Sequence, residues 1–432
     1  MRIHHLTLLA LLMSTTTLAG TPEPGVNSGR LTEHLQALAE YGKNPQGGVS
    51  RIAYSDADRA GREYVLGLMR NAGLTTSTDA AGNLVGTRTG TEPGLKPIVI
   101  GSHIDSVPEG GNYDGDVGSL AAIEIAQTLN ERKIQLHHTL QVIVFVDEEG
   151  AMLGSTAMGH GVDAARLNSV SQSGKTVRDG VKFLGGDPDR IDPVRRNPHS
   201  IEAYLELHIE QGGVLEREHL PIGIVEGIVG ILDCEVTIEG FANHAGTTPM
   251  NQRRDAMLAA ARFTDALNRI ITAKPGAQVG TVGWIRAQPG AYNVVPGKVV
   301  LGLEIRDLDA AKIEDLYAQI RKESEAIAKQ TGTTFLLEAH APSEPALTDS
   351  HLQLIIAKSA ERLGLAAKLM PSGAGHDAQE MAALGPIGMI FIPSIGGISH
   401  SPKEFSRPSD IENGANVLFE TLRNVDAPRR QQ

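Results

Sequence analysis

Two apolar runs, "KPIVIGSHID" and "TLQVIVFVDEEG", each break directly into acidic residues, and a helically periodic stretch, "GSLAAIEIAQTLNER", lies between them. Short apolar runs without polar alternation read as strands buried on both faces. A buried strand, a helix and a second buried strand in that order form a βαβ unit of a parallel sheet covered by helices. In open sheets of this kind, ligands sit outside the carboxyl ends of the strands. The acid-rich segments 103–116 and 147–149 fall at those ends.

The texture changes near residue 230. "ILDCEVTIEG", "QVGTVGWIRAQPG" and "KVVLGLEIRDLD" alternate at period two, as half-buried antiparallel strands do. Between and after them lie the helical stretches "RDAMLAAARFTDALNRIIT" and "AAKIEDLYAQIRKESEAIAKQTG". This predicts a four-stranded antiparallel sheet with two helices on one face. "LTDSHLQLIIAKSAERLG" and "GPIGMIFIPS" then restore the first texture. The expected architecture is an α/β domain with a mainly parallel sheet, residues 27–229 and 341–432, into which a smaller α+β unit, residues 230–340, is inserted.

Composition narrows the function. A formal net charge of −12 lacks the basic footprint of a nucleic-acid binder. The opening "MRIHHLTLLALLMSTTTLAG" has a basic start, an apolar run and small residues before Gly20, which predicts a signal peptide over residues 1–19 and export, most simply to the periplasm. That run is shorter than the roughly 20 apolar residues a spanning helix needs, so a soluble protein is expected. One cysteine, Cys234, excludes an intrachain disulfide and a thiolate metal cluster.

The remaining metal-ligand chemistry is imidazole and carboxylate. His103, Asp105, Asp114 and Asp116 share one glycine-rich segment, and Asp147, Glu148 and Glu149 end the next strand. "ELHIEQG" offers His208 and Glu210, and "GISHSPKE" offers His400 and Glu404. Such donors suit zinc, manganese, cobalt or nickel. Five or six of them exceed the three that a mononuclear catalytic zinc requires, which favours a two-metal hydrolase. In such a site a carboxylate is shared by the metals, water between them loses a proton near neutral pH, and one further carboxylate stays unligated to carry that proton. The adjacent Glu148 and Glu149 offer that division of labour.

"GGVSRIAYSDAD", "HIDSVPEGGNYDG", "DEEG", "LHIEQG", "NHAGTTPMNQRRDA", "YNVVPGKV", "SGAGHDA" and "GISHSPKE" occur here in the order that resembles the hydantoinase/carbamoylase amidohydrolases, a branch of the aminoacylase and carboxypeptidase clan. The resemblance spans nearly the whole chain after the signal peptide. It implies His103, Asp114 and His208 on one divalent metal, and Asp114, Glu149 and His400 on the other. It makes Glu148 the general base acting on the bridging water, and Asp105 the partner that holds the His103 imidazole. It implies that His244 reaches into a neighbouring subunit and polarises the scissile carbonyl, so that residues 230–340 form a dimerisation and lid domain of a homodimer. Asn293 and Arg306 match residues that grip a substrate carboxylate, and Gln211 and His376 match positions that contact the ureido group or order the closed site. Asp116, Asp147 and Glu210 are left without a role, as solvated loop acids, and Glu109 likewise. For Arg306 the plain alternative is an ion pair with Asp307 or Asp309.

The implied activity is hydrolysis of a linear amide or ureido C–N bond, in N-carbamoyl-L-amino acids or allantoate-like compounds. An exported aminoacylase or dipeptidase keeps the same site and changes the bond, and a non-catalytic binding protein keeps only the fold. One departure stands out. Met152 and Leu153 follow "DEEGA" where the family commonly carries an Arg-Phe pair, so the pocket wall beside the metals is expected to differ.

Overall fold

The computed structural model describes residues 25–340 and 342–428. The signal peptide expected over residues 1–19 lies outside them. No helix among the described residues is long and apolar enough to cross a membrane.

The large sheet has nine strands. At its centre Leu140–Phe145, Ile98–His103, Ala203–Ile209 and Ile387–Ile392 lie side by side, all parallel. Three of these four are buried at every residue. That is why their sequences run apolar without alternation: Ile98 and Ile100 enter the core on one face, and Val99 enters the core on the other. Helices Asp116–Glu131 and Pro408–Asp426 pack against the first face with Leu120, Ile411 and Leu418.

The expectation of a mainly parallel sheet is corrected to a mixed one. Thr75–Thr78 and Leu84–Arg88 form an antiparallel edge, and Ile222–Ile228 runs antiparallel to Ile387–Ile392. The first pair is joined by a five-residue turn in which Asp79 accepts the Ala81 and Asn83 N–H groups. So short a connection can return the chain only antiparallel, because a parallel crossover needs a dozen residues or more.

The second sheet is four-stranded and antiparallel throughout, in the order Thr334–Ala339, Gly230–Glu239, Lys298–Asp307, Val279–Gln288. Leu232, Cys234, Val236 and Ile238 alternate inward against helices Ala256–Thr272 and Ala310–Thr331. Asp255 and Asp309 cap those helices by accepting two N–H groups each, worth about 1 kcal/mol per cap. Phe263, 1% exposed, fills the space beneath the sheet, and its burial contributes roughly 2–3 kcal/mol. This sheet has its own hydrophobic core.

Candidate metal centre

The four central parallel strands end on one side of the sheet, and each end contributes to one cluster. His103 is the last residue of Ile98–His103, and His208 lies near the end of Ala203–Ile209. Glu148 and Glu149 form the first turn after Leu140–Phe145, and His400 lies in the loop after Ile387–Ile392. Asp114 comes from the loop between Ile98–His103 and the helix Asp116–Glu131. Gly115 follows it at φ 66°, and a Cβ there would overlap the His103 ring, so only glycine brings the loop this close.

Asp114 is the centre of the cluster. Its Oδ1 lies 3.2 Å from His208 Nε2 and 3.5 Å from His103 Nε2. Its Oδ2 lies 3.4 Å from His400 Nε2, which is also 3.3 Å from Glu149 Oε2. Among the described residues two groups of potential ligands share Asp114, His103–Asp114–His208 and Asp114–Glu149–His400, and a third, Glu206–His208–His376, shares His208 with the first. Glu148 stands beside them, its Oε2 3.7 Å from His103 Nε2.

The donor atoms fit cations. His103 Nδ1 meets the main-chain oxygen of Asp105 and His208 Nδ1 meets that of Ile209, both at 3.0 Å. Each Nδ1 therefore carries a hydrogen, which leaves each Nε2, on the side of the Asp114 carboxylate, as the atom that holds either a proton or a cation. His103 Nε2 and Glu149 Oε1 are buried without a hydrogen-bond partner. Lone pairs facing a carboxylate in a buried site repel unless positive charge stands between them. The electrostatics of the site favour positive charge beside Asp114. Burial pushes the His103 imidazole down, yet Glu148, Asp114 and Asp105 hold it well above its usual value. Burial pushes Asp114 up, yet His208, His103 and His400 hold it well below the carboxylate range.

Without cations, protons occupy this site. Burial and the Asp114 charge push Glu149 up to about 7, and the hydrogen bond to Asp114 pushes His400 up to about 9. Cations compete with those protons. Apparent Zn²⁺ affinity is therefore expected to rise as pH increases through about 7 toward about 9. Titration calorimetry in buffers of different ionisation enthalpy checks this through the protons released; an affinity independent of pH would contradict it.

Asp105 stands against the His103 ring and also against the glutamate turn. Its main-chain oxygen meets His103 Nδ1 at 3.0 Å, and its carboxylate lies 3.8 Å from the same nitrogen. The carboxylate accepts the N–H groups of Glu148 (3.2 Å) and Glu149 (3.1 Å). An anion at the start of a helical turn is favourable, and this one orients the turn that carries both glutamates.

The acids expected in solvent are also corrected. Asp116 is buried and paired with Arg51, Asp147 is buried and accepts the Tyr54 hydroxyl, and Glu210 is buried and accepts the Val214 and Leu215 N–H groups. Asp116 and Glu210 thus meet a guanidinium and two N–H groups, whereas burial and the Asp105 charge push Asp147, with its single hydroxyl partner, up to about 8. Glu109 is exposed. Glu404 accepts the Tyr113 and Asp114 N–H groups and the Ser399 hydroxyl, so it ties the Asp114 loop to the His400 loop.

Gln211 donates to Asp114 Oδ2 at 2.6 Å, and His376 is buried against the His208 ring with its Nε2 2.8 Å from Ser372 Oγ. Arg306 pairs with Glu304 and donates to Gly373 O; Asp307 is instead taken by Lys312. A cavity of about 550 Å³ lies between Gln211 and Gly373, walled by Val214, Met370, Pro371 and Ala374. Met152 faces the same "SGAGHDA" loop, near Gly375, while Leu153 is buried. His244 and Asn293 stand apart. Both are exposed, and no described hydrogen bond or ion pair joins either to the cluster. They share a short ladder in which Ala245 N–H donates to Asn293 O, and His244 Nδ1 accepts from Gly246 (3.0 Å) and Thr247 (3.3 Å).

A carboxylate shared by two imidazole–carboxylate groups, at the carboxyl ends of parallel strands, is the donor set of a dinuclear metal hydrolase. The chain belongs to peptidase family M20/M25/M40, whose sequence profile matches residues 99–424. It is 40% identical over 402 residues to an N-carbamoyl-L-amino acid amidohydrolase of Geobacillus stearothermophilus, covering 92% of this chain and 98% of that protein. It is 37% identical to a ureidoglycolate hydrolase of Arabidopsis thaliana, over 92% of this chain and 86% of that one. A crystal structure of a hydantoinase/carbamoylase family amidase from Burkholderia multivorans matches with a TM-score of 0.87 and 36% identity, over 93% of this chain and 98% of that one. The chain is thus a metal-dependent amidohydrolase, acting on C–N bonds other than peptide bonds in linear amides.

Proposed function

We propose that this enzyme hydrolyses the ureido C–N bond of an N-carbamoyl-L-amino acid or an allantoate-like compound. Its ligands are His103, Asp114, Glu149, His208 and His400, and its base is Glu148. The observation that carries this reading is the position of Asp114 between two ligand groups, with Glu148 adjacent and in neither. The names of the relatives support the ureido bond. Two divalent cations, whether zinc, manganese, cobalt or nickel, would supply Lewis acidity and lower the pKa of water at the site.

Glu148 takes a proton from the attacking water as the new C–O bond forms. It then delivers that proton to the leaving nitrogen as the C–N bond breaks. A carbamoyl substrate leaves a carbamic acid after this cleavage, which breaks down to carbon dioxide and an amine, so the final products are the amino acid, carbon dioxide and ammonia. Because His244 Nδ1 accepts main-chain N–H groups, its ring hydrogen sits on Nε2, free to donate to a developing oxyanion. His244 and Asn293 are exposed on their own chain, which supports a homodimer in which residues 230–340 act as dimerisation and lid domain and deliver both across the interface. The Arg306 guanidinium, beside the cavity through Gly373, has the planar fork that pairs with a carboxylate. The signal-like residues 1–19 support export to the periplasm.

The test is a panel of N-carbamoyl, N-acetyl and dipeptide forms of one L-amino acid, with allantoate, on the metal-reconstituted enzyme. The carbamoyl or allantoate form is expected to lead in kcat/KM by about 100-fold or more, because polar groups matched to the ureido amide are left unpaired by an acyl substrate. A lead for the acetyl or dipeptide form would replace this reading with an aminoacylase or dipeptidase.

A further inference from the structure

Two side chains of the segment 51–58, which no catalytic step uses, reach both acid-bearing loops. Arg51 is 1% exposed and fully hydrogen-bonded. Its Nε donates to Ile104 O (2.5 Å) and its Nη1 to Leu38 O (2.9 Å) and Tyr41 O (3.0 Å). Its Nη2 donates to both Asp116 oxygens, at 2.7 and 2.5 Å. Ile104 follows His103 and Asp116 lies two residues after Asp114, so one guanidinium holds the loop near both of its ligands. Its planar fork is suited to that double grip.

Three residues on, Tyr54 is buried, with its ring against Gly180, where a Cβ would overlap it. The Tyr54 hydroxyl donates to Asp147 Oδ2 at 3.1 Å, and its N–H donates to Asp58 Oδ2 at 2.7 Å. Asp147 sits at φ 59°, in the left-handed region, at the head of the turn that carries Glu148 and Glu149. Such a conformation persists only where its surroundings hold it. A purely apolar packing role at position 54 would be met by phenylalanine; the hydroxyl adds a bond to the residue that starts the ligand turn.

We propose that the segment 51–58 is a positioning clamp that sets the cation affinity of the centre, Arg51 holding the His103–Asp114 loop and Tyr54 holding the Glu148–Glu149 turn. The clamp rests on the reading of His103, Asp114, Glu149, His208 and His400 as ligands. Groups that orient metal ligands in this way commonly change affinity or activity by about 10- to 100-fold when removed.

The experiment compares full-length wild type, Tyr54→Phe, Arg51→Lys and Asp114→Asn. It reads the thermal midpoint of the metal-free protein, Zn²⁺ affinity by chelator competition, and kcat and KM at saturating Zn²⁺. For Tyr54→Phe the expected result is a metal-free midpoint close to wild type, Zn²⁺ affinity weakened about 10-fold, and a lower kcat with unchanged KM. Arg51→Lys, which keeps the buried charge but loses the fork, is expected to weaken Zn²⁺ binding in the same direction. Wild-type Zn²⁺ affinity in the folded fraction of both variants, whatever their midpoints, would overturn the clamp. Asp114→Asn separates this from the site itself: wild-type Zn²⁺ affinity there would overturn the ligand reading on which the clamp stands.

Discussion

Glu148→Gln is expected to lower kcat by about 10³- to 10⁴-fold, roughly 4–5 kcal/mol of barrier, while the enzyme keeps its full complement of cations. The substitution keeps the shape of the side chain and removes its ability to take and return a proton. Glu148 lies outside both ligand groups, so its loss leaves their donors in place. Burial holds its carboxyl well above the usual range, His103 pulls it back only partly, and Asp377 and Glu149 add to the rise. Cations held by Asp114 and Glu149 would offset that repulsion, leaving Glu148 able to accept a proton. The adjacent Glu149→Gln is expected to behave oppositely, losing cation affinity along with activity, because Glu149 belongs to the group with Asp114 and His400. Metal analysis beside steady-state kinetics on the two variants separates base from ligand. An active Glu148→Gln enzyme, or one stripped of metal, would sink the assignment.

Asp114→Asn is expected to weaken both cations together, by about 100-fold or more in affinity, and to remove measurable turnover. Each oxygen of Asp114 faces a different ligand group, Oδ1 toward His103 and His208, Oδ2 toward His400. A neutral amide turns one of those oxygens into a donor and removes the charge that both groups share. Gln211 and Ser399 already donate to Oδ2. An amide nitrogen there would meet two donors, so the site would lose geometry as well as charge. The measurement is stoichiometry by mass spectrometry after reconstitution. Loss of one cation with retention of the other would show that Asp114 serves a single site.

Much of this centre was legible because its signals are local. The apolar runs ending in acids mark strand ends, and the period-two alternation from residue 230 marks the second sheet; both hold in the structure. The number of imidazole and carboxylate donors in separate loops pointed to two metals, and the resemblance to a known family singled out His103, Asp114, Glu148, Glu149, His208 and His400 among them. What stayed hidden depends on partners distant in the chain. Asp116 and Asp147 look like solvated loop acids until Arg51 and Tyr54 are folded against them, whereas Glu210 is taken by the nearby Val214 and Leu215 N–H groups. Arg51 is 65 residues from Asp116 and Tyr54 is 93 from Asp147, and no periodic pattern links such pairs.

The sequence by itself determined which residues could bind cations, which strands are buried on both faces and which on one, and that acids cluster where parallel strands end. Those are consequences of side-chain chemistry and of the two- and 3.6-residue periods of the backbone. Only the tertiary structure decided which imidazole faces which carboxylate, that Asp105 holds the glutamate turn, and that the sheet is mixed at its edges. These follow from strand order, which departs from chain order: Leu140–Phe145 stands between Leu84–Arg88 and Ile98–His103, and Ile387–Ile392 between Ala203–Ile209 and Ile222–Ile228. Ligands far apart in the chain become neighbours only once buried apolar strands have paired in that order, and burial then makes each carboxylate require a partner.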